Sequence, residues 1–287
     1  QGKADVVIDE ISTVPFFAKC YVKEKSIILC YQLCREIWFY QMFFPFNVIG
    51  YLVEPFYLWL LRKQTVLTES ESTKKDLQRY GFDANKIFVF NIGLEIAPVK
   101  NLHAIKKYDA PTMLYLGTLR SMKRPLHVVR SFEMAKEKIP ELRLVIAGDS
   151  ETSHGKKVLD YIQHSNYRSS IECLGKVRPE KKIELLQRCH VICVTSVKEG
   201  WGVIVTEANS QGTPAVVYDV DGLRDAVKNG NTGLVCDKNT PQELSDKIVT
   251  VLKDNNLYNS VRHQAWEDSK KMTFENSYRK FITIIND

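Results

Sequence analysis

Residues 191–214 read VICVTSVKEGWGVIVTEANSQGTP, and this stretch gives the strongest indication of the fold. Its opening apolar run predicts a buried strand, and the run that starts at Val203 predicts a helix. The loop between them holds Glu199, Gly200 and Gly202. Because ligands of open α/β sheets bind beyond the carboxyl ends of the strands, we expect this loop to line a binding site. The first N–H groups of the helix would favour an anionic ligand such as a diphosphate.

Two acidic residues, Glu199 and Glu207, lie within this stretch. Glu207 falls about one turn into the predicted helix, from where its carboxylate can reach back toward the loop. Carboxylates accept hydrogen bonds from sugar hydroxyls, and the two glycines let the backbone approach a ligand closely. The combination suits a ligand that carries both hydroxyl and phosphate groups. The alternative is that each acid is an ordinary surface residue.

A second loop of this kind follows another predicted strand in residues 114–125, which read LYLGTLRSMKRP. The strand ends at Gly117, and Arg120, Lys123 and Arg124 come after it. Cations at this position would neutralise a leaving diphosphate as its charge develops. A solvated basic turn is the alternative interpretation.

Short β-branched runs alternate with longer amphipathic stretches along the chain, which predicts parallel sheets covered on both faces. The predicted strands span residues 5–8, 26–30, 64–68, 87–90, 113–116, 142–147, 171–174, 191–195, 215–218 and 233–235. The predicted helices span residues 70–80, 126–138, 156–163, 181–188, 203–211, 223–228 and 242–253. Residues 95–110 lack clear periodicity, so we place a domain boundary there.

The composition is that of a globular protein with no nucleic-acid site. The chain has 287 residues, of which 44% are hydrophobic and 26% charged. Its net charge of +6 would favour nucleotide diphosphates or an anionic lipid surface, but no dense Lys/Arg tract with interleaved aromatics occurs. The seven cysteines form no CxxC pair, and no Asn-x-Ser/Thr acceptor site is present. We therefore expect reduced thiols and a cytoplasmic location.

Several common enzyme classes lack their motifs in this sequence. No GxGxxG occurs at a strand–helix junction, and no GxxxxGK[ST] loop is found. No HExxH, no clustered Cys/His ligands and no Gly-x-Ser-x-Gly elbow occur. These absences disfavour nicotinamide enzymes, P-loop enzymes, zinc enzymes and serine hydrolases, and we expect no metal site.

One aromatic segment, residues 37–61, reads IWFYQMFFPFNVIGYLVEPFYLWLL. Pro45, Gly50, Glu54 and Pro55 interrupt it, so no charge-free run is long enough to span a bilayer. Two interpretations stay open. It is either a packed helix pair or domain-edge cover, or an interfacial patch that meets lipid.

The stretch from about residue 112 to residue 235 resembles the nucleotide-sugar domain of family 4 retaining glycosyltransferases. The specific mark is the Glu-x7-Glu motif from Glu199 to Glu207. Supporting marks are Gly117-Thr118-Leu119-Arg120 with Lys123, Ala147-Gly148-Asp149, Leu174-Gly175-Lys176-Val177, Gln211-Gly212-Thr213-Pro214 and Asn229-Gly230-Asn231-Thr232-Gly233-Leu234-Val235. The resemblance implies the α/β GT-B fold, with two Rossmann-like, doubly wound parallel-sheet domains that face a cleft. It also implies that the first of these domains is truncated here.

The resemblance also implies roles for single residues. Glu199 would be the catalytic-site carboxylate that holds hydroxyls of the transferred sugar, and Glu207 would hold the ribose of the nucleotide. Lys123 matches a lysine that binds the donor phosphates, and Arg120 would replace an arginine that many relatives carry where this chain has Thr118. The implied donor-binding set is Gly117, Thr118, Arg120, Lys123, Gly148, Lys176, Val177, Gly200, Trp201, Gly202, Val203 and Glu207.

The implied activity is hexosyl transfer with retention at the anomeric carbon, without a protein nucleophile or a metal ion. A nucleotide diphosphate sugar would be the donor, a saccharide or lipid-linked molecule the acceptor, and no cofactor is needed. Residues 1–105 would form the acceptor-side domain, residues 106–270 the donor domain, and residues 271–287 a helix that crosses back to the first domain. The expected location is the cytoplasm, with the cytosolic membrane face as a site of peripheral binding. A nucleotide-sugar-binding module without turnover and another GT-B enzyme, such as a sugar-nucleotide epimerase, stay open as alternatives.

Overall fold

The computed structural model describes residues 4–90 and 92–286. These residues form two compact units. The first unit contains the described residues up to Gly93, the segment Lys198–Trp201 and the described residues from Met272 onward. The second unit contains Leu94–Val197 and Gly202–Lys271. Neither unit is one continuous piece of the chain.

A four-stranded parallel sheet forms the centre of the first unit. Its strands, in the order β1-β2-β3-β4, are β1 (Val6–Ile11), β2 (Lys25–Cys30), β3 (Thr65–Thr68) and β4 (Ile87–Val89). Ile27 and Leu67 are buried in one hydrophobic cluster, and Ile28 and Val66 are buried in another. Because successive residues of a strand point to opposite faces, both faces of this sheet are covered, which explains the nearly continuous apolar strands.

The helices of the first unit are α1 (Trp38–Gln41), α2 (Phe46–Leu61), α3 (Glu71–Arg79) and a C-terminal helix (Phe274–Asn286). The inner side of α2 joins the cluster of Ile28, and the C-terminal helix joins the cluster of Ile27. α3 begins immediately after Ser70, whose hydroxyl accepts a hydrogen bond from the amide of Thr73 at 3.2 Å. This N-cap satisfies one of the amides that a helix start leaves unpaired.

The outer face of α2 is apolar and exposed. It consists of Ile49, Leu52, Val53, Phe56, Trp59 and Leu60, each at least 47% exposed. Within the described residues, none of the helices is long and apolar enough to cross a membrane. An apolar face of this size on a helix that does not span a bilayer is typical of a binding surface.

A six-stranded parallel sheet forms the centre of the second unit. Its strands are β5 (Thr112–Leu116), β6 (Arg143–Ala147), β7 (Ile171–Gly175), β8 (Val191–Val194), β9 (Ala215–Val217) and β10 (Gly233–Val235). They lie in the order β10-β9-β8-β5-β6-β7. The helices are α4 (Pro125–Lys138), α5 (Ser153–Gln163), α6 (Pro179–Arg188), α7 (Val203–Ser210), α8 (Leu223–Ala226), α9 (Pro241–Lys253) and α10 (Asn255–Ser269). Strands and helices share one core in which Met113, Phe132 and Ile192 are fully buried.

The stretch before β5 belongs to the second unit because hydrogen bonds attach it there. The amide of Val99 donates to the carbonyl of Ser210 at 3.0 Å, and the indole of Trp266 donates to the carbonyl of Val99 at 2.8 Å. The ammonium group of Lys107 donates to three acceptors of the same unit. The first change of unit along the chain therefore falls between Gly93 and Leu94. The predicted domain boundary between residues 105 and 106 stays a prediction.

Each of the ten predicted strands and seven predicted helices is present, with ends that differ by a few residues. The sequence did not predict α10. This helix contains three asparagines, which favour helices poorly, and its buried apolar side chains, Val261, Ala265 and Trp266, are few. Its place in the fold is set by packing against α7 and α9 rather than by its own pattern.

All seven cysteines are free thiols. Cys20 in the first unit and Cys173 in the second are exposed, and the other five are buried. Burial, together with the nearby Glu54 carboxylate, raises the pKa of Cys34 to about 11 and that of Cys30 to about 12. Because the thiolate is the reactive form, these buried thiols are unreactive at neutral pH.

Candidate functional site

The strand order of the second unit reverses between β5 and β8. The chain runs outward from β5 through β6 to β7, then returns to β8 beside β5 and continues to β9 and β10. In open parallel sheets, ligands bind beyond the carboxyl ends of the strands at such a reversal. The loops after β5 and β8 are the two loops that the sequence singled out, and the topology brings their beginnings together.

Hydrogen bonds join these two loops within the second unit. The hydroxyl of Thr195 lies 2.9 Å from the carbonyl oxygen of Lys123 and 3.0 Å from that of Arg124. The amide of Val197 donates to the carbonyl of Met122 at 2.8 Å. The backbone at Lys123 is therefore held at the carboxyl edge of β8.

Three glycines line the carboxyl edge of β5, β6 and β7. The amide of Gly117 donates to the carbonyl of Ala147 at 2.9 Å, and the amide of Gly148 donates to that of Gly175 at 2.8 Å. A Cβ atom on Gly148 would lie 1.9 Å from the carbonyl oxygen of Gly117, and the φ of Gly148 is +148°. Only glycine fits at position 148, because any side chain there would collide with the backbone of Gly117.

Glu207 lies in α7 and is already engaged in an ion pair. α7 starts after Gly202, which has a φ of +83° and supplies no side-chain cap, and Val203 at its first position is exposed. The Glu207 side chain is buried, and its carboxylate accepts a hydrogen bond from the ammonium group of Lys182 at 2.7 Å. Lys182 is on α6, so two helices together fix the position of this carboxylate.

The segment Lys198–Trp201 packs within the first unit. The ammonium group of Lys198 donates to the carboxylate of Asp76 at 2.6 Å, and both side chains are buried. A Cβ atom on Gly200 would lie 2.9 Å from the carbonyl oxygen of Tyr31, so glycine is required for the close approach. The residues on either side of Glu199 are thus both anchored to the first unit.

The other predicted residues differ in exposure. Arg120 and Lys176 are exposed, whereas Thr118, Val177, Glu199 and Trp201 are half-buried. The carbonyl of Thr118 accepts a hydrogen bond from the phenol of Tyr115 at 3.1 Å. Across the described ranges, no group of three or more His, Cys, Asp or Glu side chains could hold a metal ion.

Sequence reasoning missed two residues at these edges, Lys182 and Glu69. Lys182 lies on the predicted helix of residues 181–188, and its partner Glu207 is 25 residues further along the chain. Glu69 follows β3 directly and is only 6% exposed. Tertiary packing creates both environments, and no local spacing signals them.

A family model described as Glycosyl transferases group 1 matches residues 99–268, more than half of the chain. This chain belongs to that family. The match covers the six-stranded sheet of the second unit, both loops at the strand reversal and Glu207.

Among curated relatives, the poly(glycerol-phosphate) alpha-glucosyltransferase of Bacillus subtilis (strain 168) is 28% identical over 183 residues. That similarity covers 63% of this chain and 26% of the relative. The chain spans less than half the length of the curated relatives that it matches.

Solved structures show the same architecture. Sucrose-phosphate synthase from Thermosynechococcus elongatus matches with a TM-score of 0.77 at 18% identity, over 98% of this chain and 72% of that chain. Anabaena HepE in complex with UDP and glucose matches with a TM-score of 0.70 at 15% identity, over 92% and 71%. This chain therefore has the GT-B fold, with parallel sheets of four and six strands in two α/β units.

Proposed function

We propose that this glycosyltransferase moves a hexose from a nucleotide diphosphate sugar to a saccharide or lipid-linked acceptor, with retention at the anomeric carbon. The observation that carries the proposal is the strand reversal between β5 and β8, where two hydrogen-bonded loops carry the predicted donor-binding residues. The family membership supports sugar transfer, and the topology supports a nucleotide site at this edge.

The proposed donor site uses backbone groups at the glycines and charges around them. Gly117, whose Cβ would meet no other atom closer than 4.0 Å, leaves room for the diphosphate, and Lys123 and Arg120 neutralise its charge as the bond to the sugar breaks. The amides at the start of α7, with Val203 first, add the positive end of the helix dipole.

The two motif acids have separate tasks in this proposal. Glu207 accepts hydrogen bonds from the ribose hydroxyls, and its pairing with Lys182 holds the buried carboxylate in place. Glu199 accepts hydrogen bonds from hydroxyls of the transferred sugar. The base lies near Lys176 and Val177, and residues 200–202 supply backbone contacts to the sugar and diphosphate.

The comparisons suggest a first donor to test. HepE binds UDP and glucose in its solved complex, and the Bacillus subtilis relative is an alpha-glucosyltransferase. We therefore propose UDP-glucose as the first donor.

We also propose a cytoplasmic site of action, because all seven cysteines are free thiols and no Asn-x-Ser/Thr acceptor site occurs.

Calorimetric titration with UDP, GDP and ADP tests the donor site. We expect selective binding of one nucleotide, and we expect Glu207→Ala to weaken that binding by at least about 100-fold because a buried charged acceptor is lost. Glu180→Ala is the matched control, since Glu180 is an exposed acid on α6. Tight nucleotide binding by Glu207→Ala would contradict the assignment.

Product analysis separates the alternatives. Free nucleotide together with a sugar on the acceptor supports transfer, and an isomerised donor supports a sugar-nucleotide epimerase. Nucleotide-sugar binding without either product supports a binding module.

We further propose that the outer face of α2 binds an anionic membrane surface. The helix continues an exposed aromatic run that includes Phe39, Phe43 and Phe44. Arg62 at its C-terminal end lies 4.2 Å from the ring centroid of Trp59, and exposed Lys63 follows. An apolar face bordered by aromatic and basic residues fits the boundary between acyl chains and anionic headgroups.

Vesicle sedimentation tests this surface. We expect the protein to bind phosphatidylcholine vesicles that contain phosphatidylglycerol, and we expect Phe56→Gln with Leu52→Gln to weaken binding about tenfold or more. Tyr278→Gln, at an exposed aromatic residue of the C-terminal helix, should bind like the unchanged protein. A dimer in light scattering that these same substitutions dissociate would instead assign the face to a second copy.

A further inference from the structure

A buried carboxyl group without a hydrogen-bond partner lies at the carboxyl edge of the first unit's sheet. Glu69 directly follows β3 and is 6% exposed. Among residues 4–90 and 92–286, none makes a hydrogen bond or ion pair with its carboxylate. Burying an ionisable group without a partner is costly, so the position of Glu69 is unfavourable for its charged form.

The turn that carries Glu69 is held rigidly. The hydroxyl of Ser70 lies 2.9 Å from that of Thr73, which in turn donates to the carbonyl of Tyr31 at 3.1 Å. Tyr31 directly follows β2, the neighbouring strand. The carboxylate of Glu69 is therefore fixed relative to the carboxyl ends of two adjacent strands.

Glu69 lies against the motif segment within the first unit. A Cβ atom on Gly200 would lie 3.4 Å from Oε2 of Glu69, so the carboxylate approaches the backbone of that residue. Gly200 directly follows Glu199, the residue proposed to hold the transferred sugar. An unpaired hydrogen-bond acceptor thus stands next to the proposed position of the sugar.

Both acids and one buried cation lie at this edge, and the cation, Lys198, is paired with Asp76 at 2.6 Å. Burial, then the carboxylates of Glu10 and Glu69, raises the pKa of the Tyr31 phenol. Burial also raises the pKa of Glu69 to about 7, and no cation counters the shift. A group kept in so unfavourable a place without structural use is typical of a ligand-binding or catalytic residue. A carboxylate accepts hydrogen bonds, so the ligand that suits Glu69 is one that donates a hydrogen bond.

We propose that Glu69 accepts a hydrogen bond from the attacking hydroxyl group of the acceptor and positions that hydroxyl beside Gly200. This inference rests on the transfer activity proposed above. A hydroxyl is the donor that a saccharide, polyol or lipid-linked sugar offers, and a fixed carboxylate is a strong acceptor for it. Glu69 is thus an acceptor-binding residue, separate from the groups that hold the nucleotide.

Kinetics with a matched control test the inference. Glu69→Gln keeps the shape and removes the charge, and Glu71→Gln does the same at an exposed acid two residues on. With UDP-glucose as donor and glycerol, myo-inositol or methyl glucoside as acceptor probes, Glu69→Gln should lower kcat/KM for the acceptor about tenfold to 100-fold. UDP binding and slow donor hydrolysis by water should stay within about twofold of the Glu71→Gln values. Transfer by Glu69→Gln at the rate of Glu71→Gln would overturn the inference.

An infrared titration decides the question without any turnover. Glu69 should appear as a protonated carboxyl band near neutral pH that is missing in Glu69→Gln. Because a hydroxyl donor stabilises the ionised form, the same polyol probes should lower the pKa read from this band. A pKa that none of the three probes moves would overturn the inference. Failure of UDP to bind would contradict the proposed function alone, since this titration needs no nucleotide.

Discussion

At Gly148 the backbone leaves no room for a side chain, and this has a measurable consequence. Gly148→Ala places a methyl group on the carbonyl of Gly117 and should lower the free energy of unfolding by about 3 kcal/mol or more. Gly230→Ala is the control, because its φ of +75° is also left-handed but its Cβ would meet open space. Gly230→Ala should lower the free energy of unfolding, measured with urea, by only about 1 kcal/mol. Equal losses for the two variants would show that the close approach at Gly148 is not tight.

Glu69 makes stability depend on pH in a direction opposite to that of an ordinary salt-bridged acid. The pKa of Glu69 in the folded protein is about 7, above its usual value of 4.5. Its contribution to the free energy of unfolding is therefore fully present below pH 4.5 and is lost as the pH rises through 7. Relative to Glu69→Gln, the native protein should lose about 2 to 3 kcal/mol between about pH 5 and about pH 8. Urea unfolding of both proteins at the two pH values measures this. If the free energies of unfolding of the native protein and Glu69→Gln changed equally with pH, Glu69 would not be desolvated in the folded protein.

At the scale of single elements, the attachment of α2 to its neighbours depends on one buried carboxylate. Glu54 is 1% exposed and accepts hydrogen bonds from the amides of Cys34 and Arg35, each at 2.7 Å, and from the indole of Trp38 at 3.0 Å. It therefore ties α2 to the turn that precedes α1. Glu54→Ala leaves three buried donors without an acceptor and should destabilise the protein by about 3 to 5 kcal/mol.

Chemical denaturation followed by Trp fluorescence measures that loss. Glu36→Ala provides the comparison, since Glu36 is an exposed acid close to the same turn. A loss for Glu54→Ala no larger than that for Glu36→Ala would mean that the three donors find other acceptors.

Elements with strong local patterns could be predicted from the sequence, and those held by distant contacts could not. The strand Val191–Val194 and helix Val203–Ser210 follow from an apolar run, a glycine loop and a second apolar run. α10 lacks such a pattern and was missed. The site shows the same division: Gly148 and Glu207 lie in recognisable motifs, whereas the burial of Glu69 and the pairing of Lys182 arise only when elements from different parts of the chain pack together.

At the scale of the whole molecule, one ion pair reaches across 122 residues of sequence. Lys198 and Asp76 are both buried, and their pairing holds the segment Lys198–Trp201 within the first unit. Lys198→Met or Asp76→Leu alone breaks this buried pair and should cost up to about 3 kcal/mol, because Asp76 keeps its contact with the exposed Arg79 at 2.8 Å in the first variant. Replacing both should recover much of that loss.

A double-mutant cycle by urea unfolding tests this coupling. The exposed pair of Lys138 and Asp246, at 2.7 Å, is the control and should show a coupling below about 1 kcal/mol. Strictly additive losses at Lys198 and Asp76 would contradict a direct interaction.

The distribution of thiols makes the native chain suitable for double labelling without engineered cysteines. Of the seven thiols, the exposed ones are Cys20 in the first unit and Cys173 in the second, and the buried ones react slowly because their thiolates are scarce. A maleimide spin label would attach once to each unit. Pulsed dipolar spectroscopy could then follow the distance between the labels as nucleotides and the acceptor probes are added.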